Sequence, residues 1–88
     1  MYSLLLTKSA SKELDGLTTK QSSAIIKRIS ALRENPRVIG AKKLQGRDEY
    51  KLRVGDLRII YGIDDALKEV IVYMIDYRKQ VYKRLRRK

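Results

Sequence analysis

The chain has no cysteine and no histidine, and a single proline among its 88 residues. Without cysteine there is neither a disulfide framework nor a thiolate metal site. Without histidine the usual neutral-pH general base is missing, and so is the commonest metal ligand. No apolar run approaches the length of a membrane span, and none resembles a signal peptide, so the expectation is a cytoplasmic protein with no membrane partner. Acid is scarce: 10 Asp and Glu stand against 21 Lys and Arg, a net charge of +11. Over half of that excess lies in residues 77–88, which hold seven cations and no acid. Such a balance favours a polyanionic partner, whether RNA, DNA or an acidic protein. The length fits one small domain spanning 1–88, and 43% apolar residues suffice for a core without staples.

Along the chain, Tyr2, Leu4 and Leu6 alternate in a first strand over 1–6. Ser9 offers the cap of a short helix with Ala10, Leu14 and Leu17 on one stripe, ended by Gly16. Thr18 and Gln21 match a capping box opening a second helix over about 19–34, with Ile25, Ile29 and Leu32 buried and Ser22 and Ile26 beside them. Asn35-Pro36 stops it. Residues 36–48 read as a basic linker. A hairpin follows over 49–63, then a strand from about 69 to 75. There Val70, Val72 and Met74 oppose Ile71, Tyr73 and Ile75, so that both faces are covered. The expected fold is α+β in the order β-α-α-β-β-β. It has one four-stranded, mostly antiparallel sheet, a helical hairpin on one face, and a short C-terminal helix or tail.

The hairpin carries the chemical signal. Gly55-Asp56 fits a two-residue type II′ turn. Val54 then pairs with Leu57, Arg53 with Arg58, and Lys51 with Ile60. Three cationic side chains share one face, although like charges directly opposite each other repel. A rigid strand pair that accepts this repulsion is suited to holding an anion, where a merely soluble one would mix its signs.

Several stretches together resemble the RelE/ParE superfamily of toxins from toxin–antitoxin pairs. They are S-A-x-K-E-L at 9–14, N-P-R at 35–37, K-K-L-Q-G at 42–46, Y-K-L-R-V-G-D-L-R-I-I-Y at 50–61 and I-D-Y-R-K-Q-V-Y at 75–82. The resemblance implies the RelE-like branch, which cleaves messenger RNA in the ribosomal A site, and a cognate antitoxin as partner. Carried over residue by residue, the catalytic set falls on Lys51, Arg53, Arg58, Arg78 and Tyr82. Tyr77 stands where many relatives carry histidine. Contacts to RNA or ribosome fall on Lys42, Lys43, Arg47, Tyr77, Lys79, Lys83 and Arg84. No cofactor or metal is implied. The alternatives are a ParE-like gyrase inhibitor without nuclease activity and a non-catalytic RNA- or protein-binding module.

If RNA is the substrate, the 2′-hydroxyl attacks the adjacent phosphate and the 5′-oxygen leaves. Arginine forks onto two phosphate oxygens, which suits Arg58 and Arg78, with Arg53 assisting. A dense positive field makes it easier for a lysine to give up its proton, which casts Lys51 as general base. Tyr82 would orient the nucleophile or stack on a base.

Overall fold

The computed structural model describes residues 1–77 together with Val81 and Leu85. Strand β1 (Ser3–Leu6) leads into helix α1 (Lys8–Asp15) and helix α2 (Thr19–Ala31). Four further strands follow: β2 (Lys42–Lys43), β3 (Tyr50–Val54), β4 (Leu57–Asp64) and β5 (Glu69–Tyr77).

The cap of α1 is Thr7, not Ser9. Its hydroxyl accepts from the Ala10 amide at 3.1 Å and donates to the Tyr73 carbonyl at 3.2 Å, so one side chain ends β1 and starts the helix. The capping box of Thr18 and Gln21 is formed in both directions. Helix α2 stops at Ala31, before the expected 34. The amides of Leu32, Arg33 and Glu34 bond three residues back, tightening the last turn ahead of Asn35-Pro36.

The sheet has five strands, not four, in the order β1-β5-β4-β3-β2. It is mixed, with β1 parallel to β5 and every other pair antiparallel. The added strand is Lys42–Lys43, inside the stretch read as a linker. The Leu44 amide bonds the Glu49 carbonyl at 2.8 Å, and Gly46 sits at φ +72°, so a short loop folds β2 back onto β3. A two-residue strand has no alternation to betray it.

The β3–β4 register is the expected one: Val54 opposite Leu57, Arg53 opposite Arg58, Lys51 opposite Ile60, with Gly55 at φ +60°. The β4–β5 register is not regular. It slips between Ile60 and Tyr61, pairing Ile60 with Met74 but Tyr61 with Val72, so Tyr73 is an inserted bulge residue. The bulge reverses the alternation. Val70, Val72 and Ile75 enter the helix-side core, while Met74 turns to the opposite, outer face.

The helix-side core packs Ala10, Ile25, Ile29 and Leu32 against Leu52, Leu57, Ile59, Tyr61 and the inward residues of β5. Fully burying one such aliphatic side chain stabilises the fold by about 1.5–3 kcal/mol. Ile26, expected beside the stripe, is largely exposed. On the outer face Ile60 and Met74 lie under Val81, with Leu44 and Leu85 alongside. Val81 and Leu85 are both in helical conformation. β5 is therefore an interior strand, between β1 and β4, with its helix-side face in the core and Met74 covered by Val81 on the other face, whereas Tyr73 stays exposed.

Candidate functional site

Alternation along β3 and β4 places Leu52, Val54, Leu57 and Ile59 in the helix-side core and sends Lys51, Arg53 and Arg58 to the outer face. Two cross-strand rungs result. One runs Lys42–Lys51–Ile60–Met74 across β2 to β5, and the other runs Arg53–Arg58–Asp76 across β3 to β5. Directly opposite residues have Cβ atoms about 4.5–5.5 Å apart, and successive rungs are about 7 Å apart. Four cations are thereby gathered at one end of the outer face.

Arg58 is the centre of this group. It is 7% exposed, the one charged residue buried among those described. Of its five N–H donors, Nη1 bonds the Leu57 carbonyl at 3.5 Å, and no carboxylate among the described residues lies within ion-pair distance. A guanidinium taken out of water without a counter-ion is destabilising. Here it is kept in place, flanked by Arg53 on β3. Arg53 itself is exposed and folds back over the turn, its Nε donating to the Gly55 carbonyl at 3.1 Å. Lys51 is half-buried.

The other candidates divide. Lys42 is exposed and directly opposite Lys51. Lys43 pairs with Tyr50 and approaches Asp48 at 4.0 Å. Arg47 is bound through Nε and Nη2 to one oxygen of Glu49, so its charge is already matched. Tyr77 pairs with Leu57 on the helix side of the sheet, where its hydroxyl accepts from Gln21 Nε2 at 3.3 Å. That is the face opposite to the arginines. Arg78, Lys79, Tyr82, Lys83 and Arg84 lie outside the described residues.

Three residues escaped the sequence reading. Asp76 completes the arginine rung, its Oδ1 accepting the Tyr77 amide at 2.8 Å. Glu13 of α1 accepts the Ile75 amide at 3.0 Å, past the point where β1 stops pairing with β5. Arg37, counted as a linker cation, forks onto Asp65 at 2.9 and 3.3 Å. It also donates to Tyr50 Oη and lies 5.9 Å from the centre of the Tyr50 ring. Tyr50 stacks on Tyr61, whose hydroxyl donates to the Pro36 carbonyl at 2.6 Å. This network fastens the 36–41 segment to the sheet. The Arg37 and Tyr2 hydrogen bonds hold the Asp65 carboxyl down at about 2, and burial pushes the Tyr61 phenol up to about 12. Among the described residues no group of three or more acidic side chains is placed to hold a metal, and no described helix is long and apolar enough to cross a membrane.

Residues 4–82 match the family model described as ParE toxin of type II toxin–antitoxin system, parDE. The chain belongs to the RelE/ParE superfamily of toxins. Among solved structures, the isolated RelE toxin of E. coli aligns with a TM-score of 0.79 at 26% identity, covering 99% of this chain and 97% of that one. The RelBE2 toxin–antitoxin complex of Mycobacterium tuberculosis gives 0.78 at 25% identity over 88% of this chain and 98% of the other. The RelE–RelB complex of Pyrococcus horikoshii gives 0.77 at 24% identity, a likeness of fold. No curated protein matches by sequence. The matching family model carries the ParE name and these structures the RelE name. Superfamily membership alone therefore does not choose between the two branches.

Proposed function

We propose that this RelE/ParE-family toxin is a ribosome-dependent endoribonuclease that cleaves messenger RNA in the A site and is neutralised by a cognate antitoxin. The observation that carries the reading is Arg58, a buried cation without a carboxylate partner among the described residues, in a rung with Arg53 and one rung from Lys51 and Lys42. A scissile phosphate would supply the anion that this cluster of cations lacks among the described residues. Arg58 and Arg53 would stabilise charge on the phosphoryl oxygens, and Lys51 would exchange a proton with the reacting sugar oxygens. Arg78 and Tyr82 complete the expected set. The step forms a 2′-O–P bond and releases the 5′-oxygen. It needs no metal. The antitoxin partner is supported by the complexes in which similar toxins were solved with RelB.

The test is mapping of cut sites on messenger RNA, with and without ribosomes, by the parent and by Arg58→Ala. Parent cleavage in the A site, reduced at least ~10²-fold in R58A, is expected. Cleavage by R58A at the parent rate would remove the assignment. The matching family model, with its ParE name, favours a second reading as a gyrase poison. Purified gyrase in a supercoiling assay separates the two.

A further inference from the structure

The nuclease reading leaves one chemical role poorly filled. A proton acceptor must be in its deprotonated form when substrate binds. Lysine normally carries its proton near neutral pH, whereas a carboxylate does not. The β5 bulge brings a carboxylate to the place where one is needed. Asp76 stands directly opposite Arg58, on the same outer face, on the far side from Arg53 and Lys51.

We propose that Asp76 is the general base and that Lys51 is the proton donor to the leaving group, acting on the two sides of a phosphate held by Arg58. The topology carries this, and it deepens the endoribonuclease reading on which it rests. In-line displacement places the attacking 2′-oxygen and the departing 5′-oxygen on opposite sides of the phosphorus. Arg58 lies on β4, between β5, which carries Asp76, and β3, which carries Lys51. Neighbouring strands are about 4.8 Å apart. Asp76 and Lys51 therefore stand on the two strands that flank Arg58, Asp76 on its own rung and Lys51 one rung along, opposite Ile60. The Tyr77 amide holds Asp76 Oδ1 from the backbone at 2.8 Å. Asp76 and Lys51 each take part in a further interaction as well.

The balance closes without an added reactant. The proton on the 2′-hydroxyl passes to the Asp76 carboxylate as the 2′-O–P bond forms. The P–O5′ bond breaks, and the 5′-oxygen takes a proton from the Lys51 ammonium. The products are a 2′,3′-cyclic phosphate and a 5′-hydroxyl. Exchange with water resets both side chains. Arg53 and Arg58 keep their protons throughout and serve the phosphoryl oxygens alone.

The experiment is single-turnover cleavage of A-site messenger RNA at saturating toxin by the parent, Asp76→Asn, Asp76→Gly with and without added formate, and Lys51→Ala. Alongside it, affinity is measured for ribosomes carrying a messenger with a 2′-O-methyl group at the cut site. D76N keeps the acceptor for the Tyr77 amide, so its fold is expected to hold. The expected result is a rate at least ~10²-fold lower in D76N, with affinity for the 2′-O-methyl complex retained or tightened. Formate should partly restore D76G and leave K51A unchanged. D76N cleaving at the parent rate would overturn the proposal while the parent's own cleavage kept the nuclease reading. A rate loss in D76N matched by an equal loss of affinity would overturn it as well. Failure of the parent to cleave at all would overturn both.

Discussion

The ring of Tyr73 lies across Gly62, so close that a β-carbon at residue 62 would meet Tyr73 Cε2 at 3.0 Å and its hydroxyl at 3.3 Å. Tyr73 is the residue inserted at the β5 bulge, and Gly62 is buried on the neighbouring strand. The bulge aims the ring over the sheet, and the missing side chain at 62 makes room for it.

Gly62→Ala should therefore lower the free energy of unfolding by about 1–3 kcal/mol, the usual range for forcing an extra carbon into a filled place. Tyr73 is itself partly exposed, so its ring can swing aside at the expense of its packing. In a Tyr73→Ala background the same substitution should have little effect. Urea unfolding of the two single variants and the double variant measures this coupling. Equal losses in both backgrounds would mean that the ring does not set the limit.

Arg58 is a buried charge without an ion-pair partner among the described residues, an arrangement that costs stability. Arg58→Met keeps much of the side-chain volume and removes the one buried cation among the described residues. The variant should be at least as stable as the parent, with a gain of about 1 kcal/mol or more. It should also lose cleavage. Thermal or urea unfolding checks the first part. A Met variant clearly less stable than the parent would make the guanidinium a structural fixture and weaken its assignment to phosphate.

The hairpin could be read in the sequence because two independent signals agree there. Gly55-Asp56 sets the turn, and the alternation from Lys51 to Val54 sets the face, so the Arg53–Arg58 pair followed residue by residue. Asp76 could not be read. Strict alternation puts it on the face of Val70 and Val72, in the helix-side core, and only the extra residue at Tyr73 turns it outward beside Arg58. A bulge leaves no mark in hydropathy when both faces of its strand are apolar. Arg37 and Asp65 were equally hidden. They are 28 residues apart in the chain, and nothing local at either position specifies the other. β2 is too short to show a period.

The Arg37–Asp65 pair gives the fold an acid dependence with a defined sign. The Asp65 carboxyl is held at about 2 in the folded protein, against 3.8 ordinarily, first by hydrogen bonds from Arg37 and then by that from Tyr2. A depressed folded value means that stability is fully present above about pH 4 and is lost as pH falls toward 2. Both side chains are about half exposed, so salt will weaken the effect. Urea midpoints between pH 6 and pH 2 should fall less steeply for Asp65→Asn than for the parent. Parallel curves would exclude Asp65 as a contributor.

Tyr61 sets the opposite limit. Its phenol is buried, donates to the Pro36 carbonyl, and is pushed up to about 12 by burial. A raised folded value means that the contribution is complete below the ordinary 10.0 and is lost as pH rises through about 12. Tyr61→Phe should lower stability by about 1–3 kcal/mol at neutral pH, because the Pro36 carbonyl loses its donor. It should also flatten the alkaline limb of stability between pH 10 and pH 12. An unchanged alkaline limb would assign that limb to other groups.

Glu13 joins the fold to the candidate site. β1 pairs with β5 only as far as Leu6 opposite Val72, so the Ile75 amide lies beyond the β1 ladder. The Glu13 carboxylate of α1 accepts it at 3.0 Å. A helix side chain thus continues a ladder that the strand has left, and it does so one residue before Asp76. Glu13→Ala should lower stability by about 1.5–3 kcal/mol, the range for a hydrogen bond to a charged group. The Ile75 amide should also exchange with solvent much faster than its neighbours in the paired part of β5. Glu13→Gln, which can still accept, should restore most of the protection. If the end of β5 loosens, the Arg58–Asp76 rung loosens with it, so cleavage by E13A should fall more than its remaining folded fraction explains, and E13Q should recover it. Hydrogen exchange at Ile75 and cleavage rate, compared across the parent, E13A and E13Q, test this link together. Protection lost in E13A with cleavage unchanged would show that the rung does not depend on this anchor.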